Sequence, residues 1–127
     1  MNPYFIFYNA NPKNNYGNDC TIRAISLLIN KSWYEVYDDI CLLGREVCDM
    51  PSSNRIWSRY LQLLGYTRYD IDPSARYNVN EFCHYHPHSK YLLCLNEHVV
   101  AVIGGHFYDT NDIGYEFPLY YWKLEGR

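Results

Sequence analysis

Apolar positions recur every three or four residues through the first half of the chain, and the last third shifts to short strand-like runs. Residues 4–8 (Tyr-Phe-Ile-Phe-Tyr) form a brief β-type run that Asn-Pro-Lys-Asn-Asn breaks. From residue 20 to about 29, Ile22, Ile25, Leu28 and Ile29 fall on one helical face, with Asn18 or Asp19 as N-cap. A second helix starts at Ser32, where Ser32-x-x-Glu35 is a capping box. It turns Trp33, Val36, Tyr37, Ile40 and Leu43 inward and is expected to stop at Gly44. A third helix over 53–64 carries Ile56, Trp57, Tyr60, Leu61 and Leu64, and Gly65 ends it. Residues 66–71 read as a strand or extended arm, and 78–85 as a short helix closed by Pro87.

Strand-like segments then follow at 90–95, 98–103, 106–108 and 119–124. Helices first and strands afterwards predict a single α+β domain over residues 1–127, with N-terminal helices packed on a C-terminal antiparallel sheet. Gly104-Gly105 is a two-residue hairpin signal, because both positions of a type I′ turn need positive φ. The implied register pairs Ile103 with His106, Val100 with Asp109 and His98 with Asn111. Paired residues share a face that repeats every second position, so His98, Asp109 and Asn111 stand together at the open end of the hairpin.

Composition narrows the function. Apolar content of 48% and charged content of 20% over 127 residues describe an ordinary globular chain. The 15 tyrosines suit either an extended contact surface or a small tyrosine-built core. A net charge of −3 without a Lys/Arg block argues against nucleic acid as a partner. No apolar run reaches the ~18 residues of a membrane span, and Met1-Asn2-Pro3 does not open a signal peptide, so a cytoplasmic protein is expected. The five cysteines are odd in number and lack a CxxC pair, which disfavours a disulfide scaffold or a tetrathiolate zinc site. Cys41, Cys48, Cys83 and Cys94 sit among apolar neighbours and read as small core residues.

Cys20 differs, because a polar Gly-containing loop precedes it and a helix begins on it. A thiol at a helix start faces unpaired N–H groups and the positive end of the macrodipole, and both favour thiolate. A cysteine nucleophile also needs a base and a group that aims the base. His98 is the candidate base, with Asp109 diagonal to it and Asn111 directly opposite as candidate orienting groups. The alternative is a small buried cysteine, a histidine facing water and an aspartate that merely ends a strand.

Other residues have simpler readings. His84, His86 and His88 alternate at the end of a short helix, where i,i+2 spacing puts no two on one face, so no metal is expected. His106 faces away from His98 and reads as structural or solvent-exposed. Asp19 reads as a helix cap, Arg23 as an acid partner or surface residue, and Trp33 and Trp57 as core.

The segment Gly17-Asn18-Asp19-Cys20-Thr21-Ile22-Arg23-Ala24-Ile25-Ser26, followed by His98-Val-Val-Ala-Val and Tyr108-Asp109-Thr110, resembles the papain-like cysteine peptidase superfamily. The likeness is greatest to compact members such as bacteriocin-leader peptidase domains and to small bacteriophage-encoded proteins with the same two segments. It implies Cys20 as nucleophile, His98 as general base and then acid, and Asp109 as the orienting group. The superfamily commonly places a Gln some six residues before the cysteine as an oxyanion donor. Here Asn14 occupies that place, one methylene shorter, with Asn15 and Asn18 as rivals and the Cys20 N–H as second donor. The implied function is a cysteine hydrolase of peptidase or isopeptidase type, needing no cofactor. Its partner would be a protein or peptide substrate, a host protein if the chain is phage-encoded. An acyltransferase with the same trio, or a phage-type binding or inhibitor protein on the same fold, remains open. Substrate selection is expected from groove loops at 66–78 and 111–118.

Overall fold

A computed structural model describes residues 1–124. The order is β1 (Phe5–Phe7), α1 (Cys20–Ile29), α2 (Trp33–Val47), α3 (Asn54–Leu63), β2 (Tyr66–Asp70), α4 (Val79–Tyr85), β3 (Lys90–Leu95), β4 (His98–Ile103), β5 (His106–Asp109) and β6 (Tyr120–Leu124). The expected α+β class holds among the described residues.

The sheet is mixed, with order β1-β5-β4-β3-β6-β2, where a purely antiparallel sheet was expected. The difference comes from β1, which pairs parallel with β5 (Phe5 opposite Phe107, Phe7 opposite Asp109), while the other neighbours are antiparallel. The hairpin register matches the expected one over the paired residues, with Ile103 opposite His106 and Ala101 opposite Tyr108.

Both faces of the sheet are covered. Tyr91 through Leu95 are five consecutive buried residues, and alternation sends them to two separate cores. Leu92 and Cys94 pack with Ile25, Leu28, Val36, Ile40, Trp57 and Leu61 of α1, α2 and α3. Tyr91, Leu93 and Leu95 pack with Val79 and Phe82 of α4 on the opposite face.

Two local expectations change. Helix α2 runs through Gly44 to Val47, and Cys48, at φ 57°, is its left-handed C-cap. Gly44 serves close approach rather than termination, because a Cβ there would stand 2.8 Å from the carbonyl oxygen of Asp49. The added turn leaves Cys48 exposed, and Cys41 within α2 is half-buried, so of the four cysteines expected inside, Cys83 and Cys94 are the buried ones. The alternating histidines go separate ways. His84 Nδ1 lies 3.0 Å from the Tyr4 hydroxyl, His86 Nδ1 lies 2.8 Å from the Phe82 carbonyl oxygen, and His88 is exposed. His106 is half-buried, its Nδ1 3.1 Å from the Gly104 carbonyl oxygen. No helix among the described residues is long and apolar enough to cross a membrane.

Candidate active site

The hairpin places the first pair of groups. His98 opens β4, Asp109 closes β5, and Nε2 of the imidazole stands 2.7 Å from Oδ2 of the carboxylate. A carboxylate only accepts, so Nε2 carries the hydrogen and Nδ1 is the ring nitrogen left for another partner. The carboxylate is itself fixed, since Oδ1 accepts from the Thr110 N–H at 2.7 Å and the side chain is 3% exposed. Strand β1 holds the same residue from the far side, where the Tyr8 N–H donates to the Asp109 carbonyl at 3.0 Å.

The other partner of His98 is Cys20, the first residue of α1. Burial pushes the Cys20 thiol up, and it is outweighed by the hydrogen bond to His98, the Val99 N–H aimed at the sulfur and the imidazolium charge. The net result is a thiol below its ordinary value. His98 moves the opposite way and is pushed up to about 10 by its hydrogen bond to Asp109 and then by Cys20, against the opposing effect of burial. The two shifts run in the directions that favour a thiolate–imidazolium pair. Cys83 and Cys94 behave as buried apolar residues, with burial raising the Cys83 thiol to about 12 and the Cys94 thiol further.

The pair opens onto a cleft of about 860 Å³. Asn18 and Asn111 line it, and Asn14 does not. Asn14 is exposed at φ 56° in the loop before α1, its N–H bonded to the Asn11 carbonyl at 3.0 Å, so the structure does not bring this oxyanion candidate to the cysteine. Asn111, the other candidate partner of His98, lies on the cleft wall, and the carboxylate of Asp109 takes the ring. The walls also differ from the expected loops. No residue of 66–78 lines the cleft, whereas Ser52, Asn54 and Trp57, from the start of α3 and the segment before it, do.

Asp19 sits at the N-cap position but makes no side-chain cap bond, contrary to expectation. Its Oδ2 accepts from the Trp33 indole N–H at 2.9 Å and the Asn11 amide at 3.0 Å. Its Oδ1 lies 3.5 Å from Nε of buried Arg23. Its backbone, at φ −112° and ψ 24°, lies outside the extended region from which cap side chains reach back. Arg23 is therefore an inward acid partner, and Trp33 is half-buried with its polar edge engaged rather than being plain core. Residue spacing alone did not disclose the Trp33 and Val99 contributions. The i,i+4 spacing of Asp19 and Arg23 was the one local signal of this network.

With this geometry described, the comparisons add no relative: no known family model, curated protein or solved structure matches the chain.

Proposed function

We propose that the chain is a cysteine hydrolase of papain-like architecture, acting on peptide, isopeptide or related acyl bonds. One observation carries this reading: a helix-start thiol with lowered pKa faces an imidazole whose other nitrogen is 2.7 Å from a buried carboxylate, at the edge of an open cleft. In this reading the Cys20 thiolate attacks the substrate carbonyl and the oxyanion develops at the start of α1. The first-turn N–H groups are not taken by the Asp19 side chain there, and Asn18 is the amide side chain nearest in sequence on the cleft wall. Nδ1–H of His98 then protonates the leaving amine and a thioester forms. The same nitrogen deprotonates water, which attacks the thioester and regenerates the thiol. Acyl transfer would follow the same course with an amine in place of water.

The test is alkylation by iodoacetamide at neutral pH, read by peptide mapping. Cys20 is expected to react far faster than exposed Cys48, and a Cys48 rate equal to or above that of Cys20 rejects the nucleophile. Cys20→Ala is expected to abolish any cellular or enzymatic effect while leaving the fold intact. Full retention of that effect would instead favour a binding protein on this scaffold.

A further inference from the structure

We propose that Asp19 is a positioning residue whose carboxylate is held off the helix start so that Cys20 keeps its thiolate. This inference rests on the nucleophile reading above. An aspartate immediately before a helix is among the best caps, worth typically ~1 kcal/mol with further gain from the macrodipole. A capping Asp19 would accept from the N–H of Thr21 or Ile22, the second and third helical residues. Its negative charge would then lie beside Cys20 and beside the region where an oxyanion develops. A like charge there raises the thiol pKa and opposes the second anion.

The structure shows the carboxylate drawn away instead, by three groups on two elements and the loop. The indole N–H of Trp33 reaches it from α2 at 2.9 Å, the Asn11 amide from the loop at 3.0 Å, and Arg23 from the next turn of α1 at 3.5 Å. Apart from that ion pair, Oδ1 is buried with no hydrogen-bond partner among the described residues, a costly arrangement for an oxygen with four backbone N–H groups nearby in sequence. The charged or titratable groups around Cys20 are His98 from β4, Tyr108 and buried Asp109 from β5, Arg23 from its own helix, Tyr8 and Tyr16 from the N-terminal loop, Glu97 from the turn before β4, Tyr120 from β6 and the neutral thiol of Cys94 from β3. Asp109 is engaged by His98 and Thr110 and Glu97 lies in the turn beside His98, whereas a released Asp19 would be the carboxylate joined directly to the helix start.

The experiment measures the alkylation pKa of Cys20 together with turnover in four proteins: wild type, Trp33→Phe, Asp19→Ala and the double variant. Trp33→Phe keeps a smaller aromatic ring and removes the N–H, one of the three holds on the carboxylate, so Asp19 is loosened toward the cap position. The Cys20 pKa is expected to rise by about one unit, with about tenfold slower labelling below that pKa. The double variant is expected to return toward the wild-type pKa, because the carboxylate that would cap is gone. A Trp33 that only packs would not be rescued by a second truncation. An unchanged pKa in Trp33→Phe, or a double variant no better than the single, overturns the proposal. Should Trp33→Phe fold poorly, Arg23→Gln with and without Asp19→Ala applies the same logic. Slow labelling of Cys20 in the wild type defeats the nucleophile reading separately, and the pKa differences among variants still report on Asp19.

Discussion

His98 and Asp109 meet through a single hairpin, whereas Cys20 meets His98 through a loop, two helices and a sheet face. The first half of the site is local. A Gly-Gly turn fixes the register, the register fixes the face, and the two side chains converge at the open end. The second half is assembled. Cys20 is carried by α1, α1 packs on β4, and the segment before it is anchored by Asn11, Asp19, Arg23 and Trp33. One half depends on strand pairing and the other on a buried polar network. They should therefore fail independently.

Asp109→Asn breaks the local half most severely. The amide can no longer hold the imidazolium, and turnover is expected to fall by roughly 10³–10⁴ in steady-state kinetics, with α1 and its network unaffected in the fold. Asn11→Ala attacks the assembled half. It removes a donor to Asp19 and the oxygen that accepts from the Lys13 N–H at 2.9 Å, so a stability loss of about 1–3 kcal/mol by denaturant titration is expected. In that variant His98, titrated by NMR, is expected to keep its raised value near 10, because its Asp109 bond is unchanged.

The pH dependence follows from the same bond. His98 is raised from 6.5 to about 10, so protonation favours the folded state. Its contribution is complete below about pH 6.5 and declines as pH rises through about 10. The lowered Cys20 thiol releases a proton on folding and opposes this trend below its ordinary value of 9.0. Unfolding midpoints between those limits should therefore fall with rising pH in Cys20→Ala and fall less in Cys20→Ala with Asp109→Asn.

The two turns flanking β4 provide the mildest contrast. Gly105, at φ 79°, would place a Cβ 3.2 Å from the Cα of Pro87, so Gly105→Ala is expected to cost about 1–3 kcal/mol with no change in Cys20 reactivity. Glu97 holds φ 58° in the turn beside His98, and Glu97→Gly is expected to stabilise by up to ~1 kcal/mol in thermal unfolding.

This division also decides what was legible in the residues. The α1 and α3 stripes, the Pro87 stop after α4, the capping box at Ser32 and the Gly104-Gly105 register are near-neighbour signals, and each predicts its element closely. The parallel seat of β1 and the split of α4 to the far face depend on partners distant in sequence. The unbroken burial of Tyr91–Leu95, too long an apolar run for a one-faced strand, was the available hint of two covered faces. Asp19 misled because cap preference is a local rule and the Trp33 indole is a non-local competitor. Gly44 misled for the same reason, since its approach to Asp49 is visible only once the chain has turned back.

The parallel pairing of β1 with β5 has a consequence for the order of folding. Phe5 must wait for Phe107, so the strand formed from the earliest residues closes among the largest loops in the molecule. The intervening hairpins and helices can form on local contacts well before it, and the edge beside Asp109 stays open until they have. The Tyr8 N–H then docks on the carbonyl of Asp109, so closing the sheet edge also fixes the backbone that carries the carboxylate.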